Sequence, residues 1–405
     1  MVHKRVLVAI CLAQATAQIG TFAVPALLPT FIDIWGLSNT EAGWITGIYY
    51  LGYTLCVPVL ASLTDRMDAK KVYVASVSLT AAANLGYALL ADGFWSALVF
   101  RALMGIGWAG TYMPGLKALS DHIEGPAQSR AVAAHAAAVG ISGALSFLFA
   151  GLMSAGFGWR WAILASAMGA AISALVVGAL VPGKPPVPDA GKRALLDFRP
   201  VFANRSAMAY ALCYMVHTWE MSALRGWVVA FLAFTAAQGG GGAQLLTPTA
   251  VASALGLVGV WSSVAGNEVS RRLGRSRFIQ ATMWLTMAAA ALIGFTSALP
   301  YPVTALLVIG YAALIWADSS SLTAGASGTA LPGQRGATLA VHSTLGYAGG
   351  FLGPLVLGVI LDLAGGESVL GWGLAFGHVA VALLLGPVAL VLLKPAGLAG
   401  DAKQA

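Results

Sequence analysis

Three titratable side chains, His217, Glu220 and Arg225, stand inside one apolar run from Ala207 to Phe234. The run is long enough to cross a bilayer, and a charge at that depth costs at least roughly 2.5–3.5 kcal/mol on insertion scales. Such groups need partners, water or a task. An arginine in a dry cavity is a permanently charged anchor that holds a carboxylate or other oxyanion with two hydrogen bonds. A buried carboxylate whose charged form is disfavoured takes up and releases a proton. Arg225 is therefore assigned to an anion, and Glu220, with His217 three residues away on the same helical face, to a proton. Glu220 and Arg225 lie about 140° apart around a helix and do not neutralise each other within it. The competing reading makes these residues structural ion pairs joining helices.

A second carboxylate, Asp318, shares a helical stripe with Tyr311 and Ser321 and is the other candidate for the proton. Arg101, Gly105, Trp108 and Tyr112 recur at spacings of four, three and four, which is one face of a helix. An arginine beside aromatics and a glycine gap suits a solute cavity, whereas an arginine near a helix end could instead snorkel to the interface. Gln14 and Gln18 add uncharged polar groups in the first apolar run. His135 and His342 occupy equivalent helix starts, which suggests helix-end hydrogen bonding before gating or proton transfer. No His, Cys and acidic residues have the spacing of a metal site, and Cys11, Cys56 and Cys213, all inside apolar runs, make no disulfide framework.

The elements that position these residues follow from composition. The 405-residue chain is 59% hydrophobic and 9% charged, against about 25% charged in a soluble domain. Twelve apolar stretches reach the length of a bilayer core, near 6–31, 42–63, 72–91, 96–116, 131–155, 161–181, 207–234, 249–269, 278–299, 302–323, 337–362 and 371–393. The basic start followed by an apolar run resembles a signal peptide, but the run continues to about Phe31 and is read as a mature helix. Alternate connections are basic, from Lys4 and Arg5 through Arg271, Arg272, Arg275 and Arg277 to Lys394, while the opposite set carries only Arg160. That bias places both termini in the cytoplasm with an even number of spans. The net charge of +7 is spread over these clusters, with no continuous basic face for nucleic acid.

One long polar connection, beginning "VPGKPPVPDAGKR", divides the chain into an N-terminal six-helix bundle (1–181), a cytoplasmic linker (182–205) and a C-terminal six-helix bundle (206–405). A second flexible stretch, Gly239–Gly242, follows the seventh span on the outer side. The halves repeat at an offset near 207: His135 falls on His342, Gly143 on Gly350, Gly151 on Gly358 and Gln18 on Arg225. The expected fold is an all-α membrane protein of twelve transmembrane helices in two parallel six-helix repeats.

Twelve spans as six plus six, with a charged turn after the second and eighth, resemble the major facilitator superfamily over nearly the whole chain. The turn "LASLTDRMDAKK" is similar to the family's signature through Leu63, Asp65, Arg66 and Lys70, and departs from it at Ala61, Asp68 and Ala69. The resemblance implies conformational gating by Asp65, Arg66 and Lys70, with Asp65 near the start of the eleventh helix. "FRALMGIGWAG" resembles the family's Arg-x-x-x-Gly-x-Gly signature through Arg101, Gly105 and Gly107. The glycine-proline signature of drug exporters is absent from span five; a related "GYAGGFLGPLVLG" stands in span eleven, where its glycines suit close helix packing. In this family spans one, four, seven and ten line the path, and these hold Gln14, Gln18, Arg101, His217, Glu220, Arg225 and Asp318.

The function expected is secondary active transport of a small organic or inorganic anion across the cytoplasmic membrane, coupled to protons, by alternating access. Arg225, Gln14, Gln18, Arg101, Trp108 and Tyr112 would bind substrate; Glu220, His217 and Asp318 would carry the proton. The pattern is nearest to bacterial anion and monocarboxylate porters. A proton-coupled exporter of hydrophobic or cationic compounds is the alternative, with Glu220 and Asp318 binding the cation. No enzyme activity, cofactor, metal or nucleic-acid partner is expected: the driving force is the proton gradient, the partners are the bilayer and a small anion, and the chain acts as a monomer. There is no phosphate-cradling glycine loop for ATP.

Overall fold

Pro25, Pro29 and Pro114 decide where the first and fourth spans are interrupted, because a proline ring clashes with the carbonyl four residues back. In the computed structural model the first span is α1 (Val2–Gln18), α2 (Ala23–Ala26) and α3 (Leu28–Trp35). After α4 (Asn39–Leu63) and α5 (Ala69–Leu90), the fourth span is α6 (Phe94–Ala109) and α7 (Tyr112–Ser120), broken at Gly110 and Thr111. Gly110 abuts Ser76 so closely that a Cβ would overlap its side chain. Next come α8 (Pro126–Phe157) and α9 (Trp159–Leu180). The remaining helices are α10 (Arg199–Ala203), α11 (Arg205–Gln238), α12 (Pro248–Leu273), α13 (Arg275–Ile293), α14 (Tyr301–Ala317), α15 (Ser319–Gly328), α16 (Arg335–Leu363), α17 (Val369–Leu383) and α18 (Leu385–Leu393). The structure describes residues 2–123, 126–185, 198–239, 246–398 and 401; residues 186–197 of the expected 182–205 linker, and 240–242 of the glycine run, lie outside them.

Among the described residues there is no strand, and 11 segments are long and apolar enough to cross a membrane. The twelfth expected span is the broken α6–α7 pair, whose pieces of 16 and 9 residues are each too short alone. Leu175, Trp261 and Leu306 are each 71% exposed, and apolar side chains facing outward from many helices form a surface suited to lipid.

The chain separates into two compact units. The first holds Met1–Thr30 and Ile48–Leu195. Its core joins α1, α5, α7 and α9 through Val6, Ile10, Tyr73, Leu119 and Val177, with the Tyr73 hydroxyl 2.9 Å from that of Ser173. The second holds Phe31–Gly47 and Leu196–Ala405. Its axis is α11, which packs along α16. Gly349 and Gly353 of α16 meet the backbone carbonyls of Met215 and Trp219, leaving no space for a Cβ. Farther along α11, buried Trp227 and Phe231 pack edge-on against Trp372. The same unit carries the first turns of α4, where the Asp362 carboxylate accepts from Asn39 N (3.0 Å), Asn39 Nδ2 (2.9 Å), Thr40 N (2.7 Å) and Thr40 Oγ1 (2.6 Å).

Candidate functional site

In the second unit α11 runs unbroken for 34 residues and carries the three titratable groups of its apolar run. His217 and Glu220 share a helical face as the spacing requires, yet they take different partners. His217 Nδ1 lies 2.9 Å from Asp318 Oδ1, an ion-pair distance without hydrogen-bond alignment. Glu220 accepts from the Tyr311 hydroxyl at 2.7 Å. All four side chains are buried. Asp318 stands at the junction of α14 and α15, where the helix is interrupted and no side chain caps the new start. The stripe expected for Tyr311, Asp318 and Ser321 is therefore bent at its middle.

Arg225 points elsewhere on α11: half-buried, it holds its guanidinium 4.6 Å above the Trp316 ring. A guanidinium stacked on indole gains cation–π attraction. Tyr214, one turn before His217, lies parallel to that ring at 5.7 Å and to His342 at 4.0 Å. His342 Nε2 is 3.3 Å from Thr323 Oγ1, so this histidine bonds a neighbouring helix instead of a helix end. Buried His217 Nε2, Thr218 Oγ1, Ser222 Oγ and Ser321 Oγ have no hydrogen-bond partner among the described residues.

In the first unit the broken fourth span supplies the architecture. At the break the Thr111 carbonyl accepts from Gly115 N at 2.9 Å and also from Gln14 Nε2 at 2.9 Å; the same side-chain nitrogen is 3.1 Å from His135 Nε2. Tyr112 begins α7 beyond the break, its ring 5.3 Å from His135. Before the break, Arg101 is 2% exposed, buried inside the bundle and not extended to an interface. Its guanidinium lies 4.4 Å above the Tyr49 ring, with Nη1 3.7 Å from Met104 Sδ. Trp108 stacks on Tyr49 at 5.2 Å and meets Tyr53 at 4.5 Å. Gln18, where α1 ends, accepts from Thr21 Oγ1 at 2.5 Å. Gln18, Arg101 and Trp108 line one small cavity of about 20 Å³; Gln14 and Tyr112 sit instead around His135.

The charged turn after α4 has a local task. Asp68, where the family signature has glycine, caps α5 by accepting from Lys70 N at 2.9 Å, while Lys70 Nζ donates to Gly178 O at 2.8 Å. Asp65 and Arg66 are exposed in the turn.

Sequence reasoning brought His217 to Glu220, whereas the fold brings His217 to Asp318 and Glu220 to Tyr311. It passed over Tyr49, Tyr53 and Asn84, although Tyr49 and Tyr53 at i, i+4 signal a shared face. No group of three or more His, Cys, Asp and Glu among the described residues is placed to hold a metal.

Comparison with known proteins adds family and fold. Residues 10–354 match the family model of the Major Facilitator Superfamily. The chain is 24% identical over 162 residues to the niacin transporter NiaP of Acinetobacter baylyi, an alignment covering 40% of this chain and 37% of that relative. It superposes with TM-score 0.77 and 17% identity on a bacterial homolog of the human lysosomal transporter Spinster, covering 97% of this chain and 96% of that one. It superposes with TM-score 0.66 and 18% identity on the human organic anion transporter MFSD10, covering 96% and 99%. At such identities the superpositions establish the fold. With a multi-pass helical architecture and a family match across most of its length, the chain belongs to the Major Facilitator Superfamily.

Proposed function

We propose that the chain is a proton-coupled carrier of a small anion, working by alternating access in the cytoplasmic membrane as a monomer, with both termini in the cytoplasm. The observation that carries the anion reading is Arg101: a guanidinium buried inside the first unit, lining a cavity whose other polar groups are neutral amides and hydroxyls. A permanent positive charge in such a place favours an anion. In the second unit Arg225, stacked on Trp316, supplies a second guanidinium for the same substrate class. Proton coupling falls to the two buried carboxylates: Glu220 against a neutral donor, Tyr311, and Asp318 against His217. Each can exchange a proton at fixed geometry, so no chemical step on the substrate and no cofactor is required. Asp65, Arg66 and Lys70 would time the conformational change. The niacin transporter and the organic anion transporter among the similar proteins agree with an anionic cargo.

The test is a thermal-unfolding panel on purified protein, since a ligand at 100 times its dissociation constant adds about 2.7 kcal/mol to apparent stability. Small carboxylates and oxyanions are expected to stabilise the protein. Stabilisation by lipophilic cations with no response to anions would replace this reading with a cation exporter bound through Glu220 and Asp318.

A further inference from the structure

The chain leaves α18 through Lys394, whose φ of 45° lies in the left-handed region, and Pro395 cannot continue the helix. A terminal segment is ordered only where it is tied down, and the described residues beyond Pro395 are tied to three other helices of the second unit. Ala396 N donates to Ser206 Oγ at 3.0 Å, in the first turn of α11. The Leu398 side chain lies on Gly328, the last residue of α15, so closely that a Cβ there would overlap it. Asp401 takes the Arg275 guanidinium at the start of α13 in a two-pronged pair: Nε donates to Oδ2 and Nη2 to Oδ1, each at 2.9 Å. These side chains are 5% and 6% exposed. The remaining nitrogen, Nη1, donates to Asn267 Oδ1 at 3.1 Å and to Ser321 O at 3.2 Å. Ser321 lies in the first turn of α15, just beyond Asp318.

We infer that residues 394–398 together with Asp401 form a strap that pins α15, and that Asp401 and Arg275 are positioning residues for Asp318. The helix α15 has only 10 residues and starts at the Asp318 break without a side-chain cap. A helix so short does not hold itself, so its place is set by what it packs on. The strap fixes it at both ends: Leu398 sits on Gly328, and Arg275, held by Asp401, grips Ser321 O. That second grip falls one turn from the carboxylate that lies 2.9 Å from His217 Nδ1. Without Asp401 the Arg275 charge is buried and uncompensated, which is costly, so the guanidinium withdraws towards water and Ser321 O loses a donor. The start of α15 is then free to turn at the break, and Asp318 moves with it relative to His217 on α11. In the carrier the strap thereby regulates the proton pair, a consequence that rests on the proton reading above; the strap itself stands on geometry alone.

The experiment compares the full chain in detergent with Asp401→Ala, Arg275→Gln and a chain ending at Lys394. Hydrogen exchange read by mass spectrometry is expected to quicken by about tenfold or more in peptides covering 319–328 in all three variants, while α5 peptides of the first unit keep their rate. Glu268→Gln, which removes an exposed acid beside Arg271 and Arg272, leaves α15 unchanged. A tail with a merely structural role would alter exchange alone; a positioning role also moves His217. In protein carrying 13C-labelled histidine, the ring signal identified by its loss in His217→Gln is expected to shift in each strap variant, whereas the His135 signal of the first unit stays in place. Should Arg275→Gln not fold, Asp401→Ala and the shortened chain decide. The inference is overturned if peptides 319–328 exchange at the wild-type rate in those two variants, or if their exchange quickens while the His217 signal stays where it was. Neither readout uses a proton gradient, so a failed strap leaves the proton reading standing, and a carrier indifferent to the gradient leaves the strap standing.

Discussion

Tyr311→Phe removes one hydroxyl from the interior of the second unit, and the consequence depends on the charge state of its acceptor. The hydroxyl donates to Glu220 at 2.7 Å with both side chains buried. A hydrogen bond to a charged group contributes about 1.5–3 kcal/mol, against about 0.5–1.5 kcal/mol to a neutral one. Glu220→Gln keeps an acceptor carbonyl in nearly the same place, so a double-mutant cycle of the two substitutions isolates the excess due to the charge. That excess is about 1–1.5 kcal/mol when Glu220 is ionised and near zero when it is protonated, by the same difference. Unfolding by SDS in mixed micelles, repeated across pH 5.5 to 8.5, reads it. If Glu220 exchanges a proton, the coupling energy grows as pH rises. A coupling that stays at zero throughout, or stays at its full value throughout, would show a group that never changes charge and would remove Glu220 from the proton role.

Asp68→Ala removes the cap of α5 and is expected to lower stability by about 1 kcal/mol; a melting comparison with Asp65→Asn, which alters an exposed carboxylate and stays within about 0.5 kcal/mol, separates capping from gating. Gly353→Val drives a branched side chain into the Trp219 carbonyl, and overpacking of this kind costs about 1–3 kcal/mol, read as a lowered unfolding temperature. Gln14→Leu strips Thr111 O of its side-chain donor and takes a polar partner from His135, for about 1–3 kcal/mol; an unchanged melt would mean that the break in the fourth span is not held by Gln14. Asp362→Ala deletes the four acceptor contacts on the first turn of α4, and hydrogen exchange at Asn39 and Thr40 is expected to accelerate while the α5 amides stay protected.

The fold was legible because membrane spans announce themselves by length and apolar content, which no tertiary contact overrides. The breaks were less legible. Pro25, Pro29 and Pro114 were visible, yet continuous hydropathy across 6–31 and 96–116 hid their effect, and the fourth span lost its continuity at Gly110 and Thr111. For the candidate site, the residue types were readable and the pairings were not. A helical wheel relates His217 to Glu220 because both lie on α11, but the partners that matter arrive from α14 and the α14–α15 junction, about 100 residues away, through packing that no local periodicity encodes. Asp68 shows the reverse case: against the family signature it stands where glycine is usual, and locally it is an N-cap.

The central claim, proton-driven carriage of a small anion, is tested most directly by accumulation of a labelled monocarboxylate panel in proteoliposomes under an imposed proton gradient. Protein-free vesicles give the baseline for passive entry. The account predicts accumulation above that baseline in the wild type, lost in Arg225→Ala and no longer driven by the gradient in Glu220→Gln. Gradient-driven accumulation that persists in Arg225→Ala, or movement of lipophilic cations with no anion accumulated, would contradict it.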